Sequence, residues 1–176
     1  MKPIINIADA PVGQTLSHGE AFAATTSPLA SKVGGNLIGA NVTRVPPGKA
    51  AFPFHHHYAN EEHFFIVSGT GTLRLGDTVH PVRAGDYIVT PPGGPELAHQ
   101  LINTGADELV YLSLSTRIAP EVVGYPDSGK IMMTTALFPQ PGFRALVETN
   151  NLDTVGYWDG EDGATVSAIA RGDRDD

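Results

Sequence analysis

The sequence predicts an all-β fold, a closed double-sheet barrel followed by an irregular C-terminal extension. Glycine and proline are frequent, at 20 and 14 of 176 residues, but they are spread along the chain and separate short apolar segments. These segments recur at near-regular intervals, which is typical of short strands joined by turns and not of helices. Closing such strands into a barrel avoids a long exposed sheet edge.

Eight segments share the strand pattern, and residues that favour turns lie between them. They cover residues 36–45, 52–57, 63–67, 72–75, 80–82, 87–90, 97–102 and 108–115. The sequence shows no internal repeat, so we expect one barrel and one domain. Within that domain we expect an N-terminal arm at residues 1–35, a barrel core at 36–120 and an extension at 121–176. The extension is aromatic enough to pack against the barrel or against a second copy of the chain.

Composition excludes several classes of function. The formal net charge is −8 and no lysine or arginine cluster is present, so a nucleic-acid partner is not expected. No apolar run reaches the length of about eighteen residues that a membrane helix needs, and the N-terminal residues do not resemble a secretory signal. We therefore expect no membrane partner and a cytoplasmic location. The absence of cysteine leaves only nitrogen and oxygen ligands for any metal ion.

Alternation along two segments brings histidines and a glutamate into phase. Successive residues of a strand point to opposite faces, so His55 and His57 share a face that His56 does not. On the next segment, Glu62 leads an apolar stripe that faces inward. A buried carboxylate is costly unless a charge neutralises it, and a cation held by the neighbouring imidazoles would do so. Glu61 is the rival carboxylate.

A second stretch, residues 85–105, adds His99 with Asn103 in phase. We predict that His55, His57, Glu62 and His99 bind one divalent transition-metal ion such as Mn, Fe, Ni or Zn. Three imidazoles and one carboxylate suit such ions and leave one or two coordination positions open for a substrate. Asn103 is interpreted as a turn residue or as a hydrogen-bonding neighbour of the site.

These residues resemble the two motifs of the cupin superfamily. The first motif is matched by Gly48, His55, His57, Glu62 and Gly69, and the second by Gly85, Pro91, Gly93, His99 and Asn103. The spacing of the first motif to Gly69 favours Glu62 over Glu61. One extra residue before His55 and three extra residues before His99 depart from the pattern, and both insertions fall in turns. The wider chain is similar to small single-domain bacterial cupins, some of which are labelled provisionally as sugar phosphate isomerases. The resemblance implies a double-stranded β-helix (jelly-roll) barrel and a homodimer.

Three functions follow from a metal-binding cupin of this kind. The first is a metal-dependent enzyme that acts on a small polar metabolite, with isomerase-type enediol chemistry on a sugar or keto acid, in which Glu62 is a ligand or the catalytic base. The second is an Fe(II)-dependent dioxygenase with the same ligands. The third is a non-catalytic cupin that binds a small molecule. Sparse basic residues argue against a phosphorylated substrate.

Overall fold

The structure, a computed structural model, describes residues 2–135, 141–151 and 156–171. Within these ranges, antiparallel strands dominate and a single short α-helix lies near the C-terminal end. The strands of the arm and the barrel are β1 (Gln14–His18), β2 (Phe22–Pro28), β3 (Ile38–Val45), β4 (His56–His57), β5 (Glu62–Ser68), β6 (Thr70–Leu75), β7 (Thr78–Arg83), β8 (Tyr87–Thr90), β9 (His99–Ile102) and β10 (Leu109–Thr116). Those of the extension are β11 (Glu121–Tyr125), β12 (Lys130–Thr134) and β13 (Arg144–Glu148), followed by the helix α1 (Gly163–Arg171).

The strands form two layers that enclose the core. One layer has the order β1-β2-β3-β10-β5-β8, and the other combines β7-β6-β9 with β13-β12-β11-β4. A single antiparallel bridge between His55 and His99 joins the two parts of the second layer. Every pairing between named strands is antiparallel, which confirms the predicted all-β barrel.

Apolar side chains from both layers meet between the sheets. The buried cluster consists of Ala24, Val45, Ala51, Phe64, Ile66, Leu73, Val82, Leu101, Leu109 and Tyr111. On β5, Phe64 and Ile66 point into this cluster and alternate with more exposed residues, as the period of two predicts. Glu62 begins the same inward face, so the sheet itself directs its carboxylate toward the interior of the barrel.

Strands occupy most of the predicted segments, but residues 52–57 differ. Only His56–His57 is a strand, while His55 makes an isolated bridge. Pro53 lacks a backbone N–H and cannot contribute to a regular ladder at this point. Similarly, the segment at 97–102 begins with a turn of 3-10 helix over Pro95–Leu97, and β9 starts at His99.

The extension is more regular than the sequence predicts. Strands β11, β12 and β13 form a meander, and β11 pairs with β4 through Val123↔His57 and Gly124↔His56. Each of these three strands has only five residues, so their pattern is weak in the sequence. Residues 136–140, 152–155 and 172–176 of the predicted extension lie outside the described residues.

No helix in the described part of the chain is long and apolar enough to cross a membrane. The helix α1 has nine residues, and the exposed side chains of Val166 and Ile169 lie on it.

Two motif glycines provide a matched test of the turns around the barrel. Gly69 has φ +84° and Gly85 has φ +94°, both in the left-handed region that L-residues avoid. A Cβ at Gly69 would lie 2.5 Å from the carbonyl oxygen of Glu108, whereas a Cβ at Gly85 would meet nothing within 4 Å. We expect Gly85→Ala to cost about 1–2 kcal/mol from backbone conformation alone and Gly69→Ala to cost about 3 kcal/mol or more. Urea unfolding of both variants measures the difference, and equal losses would show that the close approach at Gly69 is unimportant.

Candidate metal centre

Three strands bring three histidines and one glutamate together at one end of the barrel. The backbones of His55 and His99 pair directly, with N···O distances of 3.2 and 2.8 Å. This pairing places the two imidazole rings side by side, with centroids 4.7 Å apart. His57 follows two residues later on the same face, and its ring centroid is 5.1 Å from that of His55. Glu62 enters from β5 in the opposite layer.

The three imidazoles converge on one carboxylate oxygen. The distances from Oε2 of Glu62 are 3.0 Å to Nε2 of His99, 3.3 Å to Nε2 of His57 and 3.7 Å to Nε2 of His55. The ligand atoms of His55, Glu62 and His99 all lie within 4.8 Å of one another, a spacing that could hold a metal ion. All four side chains are at most 16% exposed.

Backbone carbonyls orient two of the rings. Nδ1 of His55 lies 2.8 Å from the carbonyl oxygen of Pro53, and Nδ1 of His99 lies 3.3 Å from that of Leu97. A carbonyl oxygen only accepts hydrogen bonds, so in the neutral rings Nδ1 carries the proton and Nε2 has the free lone pair. Nε2 is the atom that faces Glu62, and this tautomer presents it as a metal ligand.

His57 is the residue whose hydrogen bonds are incomplete. Both of its ring nitrogens are buried, and neither has a hydrogen-bond partner. Unpartnered buried polar atoms are rare in folded proteins and call for an explanation. A metal ion bound at Nε2 would supply the missing partner on the side of Glu62, so the residues present fit such an ion.

Burial and neighbouring charges shift the pKa values of Glu62, His57 and His99. Burial would raise the pKa of Glu62, but the three surrounding imidazoles outweigh it and hold the pKa well below its usual range. Burial likewise opposes a charge on His57, yet the carboxylates of Glu121 and Glu62 raise its pKa to about 9. His99 responds in the other direction, because burial lowers its pKa. In the metal-free protein near neutral pH, an ionised Glu62 therefore faces a protonated His57.

The rival residues named from the sequence lie elsewhere. Oε1 of Glu61 is 2.7 Å from Nε2 of His63, whose Nδ1 is 2.6 Å from the Tyr87 hydroxyl on the outer side of the sheet. His56 points away from its two neighbours, and its Nδ1 lies 2.8 Å from the carbonyl oxygen of Gly93. Its ring fills the space beside Gly124, where any side chain would collide with it.

Asn103 is a turn residue remote from the imidazoles. Its side-chain amide donates to the carbonyl oxygens of Val45 and Asp107 at 2.7 and 2.8 Å, and its Oδ1 accepts from the N–H of Gly105 at 2.9 Å. The side chain is fully buried. The motif asparagine thus fixes the turn after β9, in agreement with the first of its two interpretations.

Two residues of the extension adjoin the site and were missed by sequence reasoning. Oε2 of Glu121 lies 3.7 Å from Nδ1 of His57, on the side opposite Glu62. The ring of Tyr125 stacks on His55 with centroids 6.2 Å apart and an interplanar angle of 25°. Both residues are on β11, whose alternation over residues 121–125 was the available signal.

A small cavity of about 20 Å³ lies beside His55 and His99. Its lining is mostly apolar and consists of Phe52, His55, Phe64, His99, Gln100, Leu101 and Tyr111. No lysine or arginine is in this lining, and burial raises the pKa of Tyr111 above its usual value, so this phenol stays neutral.

Part of the chain is similar to a known protein family. Residues 41–115 match the family model of the cupin domain. A structure from Acidithiobacillus ferrooxidans, named provisionally a sugar phosphate isomerase, is 27% identical with a TM-score of 0.66, and the match covers 76% of this chain and 81% of that one. A sugar phosphate isomerase of a cupin superfamily from Silicibacter pomeroyi is 20% identical with a TM-score of 0.73, covering 87% and 97%. The latter shows a shared fold only.

A curated relative matches a shorter region. An uncharacterized protein from Methanocaldococcus jannaschii is 35% identical over 71 residues, which is 40% of this chain and 54% of the relative. The match therefore spans about half the length of that relative. A structure from Thermotoga maritima, named a predicted oxalate decarboxylase, shares the fold at 21% identity and a TM-score of 0.55, covering 64% of this chain and 97% of that one.

The cluster predicts which histidines are needed to bind metal. We expect His99→Ala and His57→Ala to lose most of an initial content of about one metal ion per chain, because each removes an imidazole beside Glu62. His63→Ala is the matched control, since this histidine lies on the outer side of the same sheet region. Equilibrium dialysis followed by elemental analysis measures the content. Equal retention in all three variants would rule out the cluster as the binding site.

Proposed function

Because residues 41–115 match the family model of the cupin domain, we propose that the chain is a metal-dependent enzyme of the cupin superfamily. Its substrate is a small polar metabolite, a sugar or keto acid, which it isomerises by enediol chemistry. The ligands of the ion are His55, His57, Glu62 and His99. The supporting observation is the convergence of three imidazole Nε2 atoms on one oxygen of Glu62, with His57 buried and without a hydrogen-bond partner.

The ion would act as a Lewis acid toward a carbonyl oxygen of the substrate. The chain supplies the other requirements. Burial of the four ligand side chains limits the access of water, which strengthens electrostatic interactions within the site. The low pKa of Glu62 keeps its carboxylate ionised, the form that a ligand and a general base both require. Since Oε2 faces the three imidazoles, Oε1 is the atom of Glu62 that we assign to proton transfer.

We propose that the substrate carries no phosphate group. Phosphate is usually held by a helix N-terminus, by arginine or by lysine, and neither arginine nor lysine lines the small cavity beside His55 and His99. Arg74 is an arginine of the neighbouring strand β6, but its guanidinium forms two hydrogen bonds with Asp127, at 2.7 and 2.8 Å, and lies 3.6 Å above the ring of Phe54. Through Asp127, these contacts bind the guanidinium of Arg74 to the extension.

Deuterium exchange tests the proposed chemistry directly. An enediol forms only if the C–H bond next to the carbonyl breaks. When the enediol takes a deuteron from D₂O, deuterium enters at that carbon if it returns to substrate and at the former carbonyl carbon if it goes on to product. We expect protein loaded with Mn²⁺, Ni²⁺ or Zn²⁺ to catalyse this exchange in at least one member of a panel of unphosphorylated aldoses, ketoses and α-keto acids, measured by ¹H NMR. The rate should fall at least about 100-fold in Glu62→Gln, which loses both the ligand charge and the proposed base.

The controls separate this proposal from its alternatives. His63→Ala, on the outer side of the sheet, should exchange at the wild-type rate. A native protein that contains iron and consumes oxygen with an enol or catechol substrate, without exchange, would favour the dioxygenase. Tight binding of a panel member with neither exchange nor oxygen uptake would favour a non-catalytic binding protein.

A further inference from the structure

Glu121 is a buried carboxylate next to the candidate metal centre and outside the region 41–115 that matches the cupin domain. It is 6% exposed, and its Oε2 lies 3.7 Å from Nδ1 of His57. Its strand pairs with that of His57 through Val123↔His57, so the main chain fixes the relation between the two side chains. A carboxylate in such a place requires neighbours that stabilise its charge.

Hydrogen-bond donors hold the carboxylate of Glu121 in one position. Oε1 accepts from the backbone N–H groups of Ala59 and Val122 at 3.2 and 2.9 Å. Oε2 accepts from the side-chain amide of Asn60. Every one of these partners is a donor, so they favour the ionised form of Glu121 and restrict its rotation.

Asn60 is itself fixed by the strand end that precedes β11. Its Oδ1 accepts from the N–H of Ile118 at 2.7 Å and from Oγ1 of Thr116 at 3.0 Å, and its amide donates to the carbonyl oxygen of Ile118 at 3.0 Å. The network therefore runs from the end of the barrel through Asn60 to Glu121 without an unsatisfied member. A fully satisfied buried network of this kind is rigid.

His57 differs from the other two histidines in what it faces at Nδ1. Carbonyl oxygens accept from Nδ1 of His55 and His99, but Nδ1 of His57 has no hydrogen-bond partner, and Oε2 of Glu121 lies 3.7 Å from it. Nε2 of His57 lies on the opposite side of the ring, 3.3 Å from Oε2 of Glu62. The two glutamates therefore face different nitrogens of one imidazole.

We propose that Glu121 is a positioning residue that retains the proton of His57 on Nδ1 and so directs Nε2 to the metal. This role rests on the proposed metal centre. It assigns to the extension a function in metal binding. Backbone carbonyls orient His55 and His99, whereas a carboxylate on β11 orients His57. A carboxylate that accepts from a ligating histidine also raises the basicity of the ring and strengthens its bond to the metal.

Metal affinity of a near-isosteric variant tests the proposal. We expect Glu121→Gln to bind Co²⁺ about 10–100-fold more weakly than the wild type, since the amide keeps the size of the side chain but loses the charge opposite Nδ1. Asp127→Asn is the matched control, because it removes a carboxylate of the same extension that pairs with Arg74 and not with a histidine. The visible spectrum of bound Co²⁺ should change in Glu121→Gln and stay unchanged in Asp127→Asn. Equal affinity and spectra in both variants and the wild type would overturn the proposal.

A second measurement uses the wild-type chain, so it does not depend on the folding of a variant. In Zn²⁺-loaded protein labelled with ¹⁵N at histidine, long-range ¹H–¹⁵N correlation spectra should show the proton of His57 on Nδ1 and a metal-bound Nε2. A proton on Nε2 would contradict the role of Glu121 while leaving metal binding intact. A wild-type chain that takes up neither Co²⁺ nor Zn²⁺ would overturn the metal centre and this proposal together.

Discussion

The ionised carboxylate of Glu62 inside an apolar barrel is the constraint on which the site depends. It lies on the inward face of β5 with Phe64 and Ile66, and burial alone would favour its neutral form. The structure meets this cost with imidazoles from two further strands, whose Nε2 atoms face the same oxygen. Opposite charge in this position is therefore required, whether a proton on His57 or a metal ion provides it. The function that we propose makes use of this requirement.

The contact that joins the two parts of one sheet also sets the geometry of the site. The bridge between His55 and His99 joins the two parts of one sheet, and it also sets the two imidazoles side by side. Because alternate residues of a strand share a face, His57 lies on the same side as His55. The glycines of the surrounding turns support this arrangement, since Gly69 approaches the chain before β10 too closely for a side chain. Loss of the fold at these turns would remove the site as well.

Sequence alone predicted the features that depend on local alternation and spacing. The period of two separated His55 and His57 from His56, and the distance to Gly69 selected Glu62 over Glu61. It did not predict Glu121, because this residue meets His57 only through the pairing of β11 with β4, a contact between distant parts of the chain. The strands of the extension were missed for a related reason: they are short and owe their conformation to neighbouring strands more than to their own composition. At residues 52–57 the error was the opposite one, because a strand was predicted over the whole segment and only His56–His57 is a strand. Pro53 interrupts the regular ladder there.

The two glutamates on either side of His57 indicate why a divalent ion suits this site. The surroundings of Glu62 and of Glu121 lower both pKa values, so two negative charges lie around one imidazole. In the metal-free protein, the raised pKa of His57 supplies one positive charge, which leaves an excess of one negative charge. Binding through Nε2 requires a neutral ring, so a metal ion must replace that charge as well as balance the remainder. A dication meets both demands with neutral imidazoles around it.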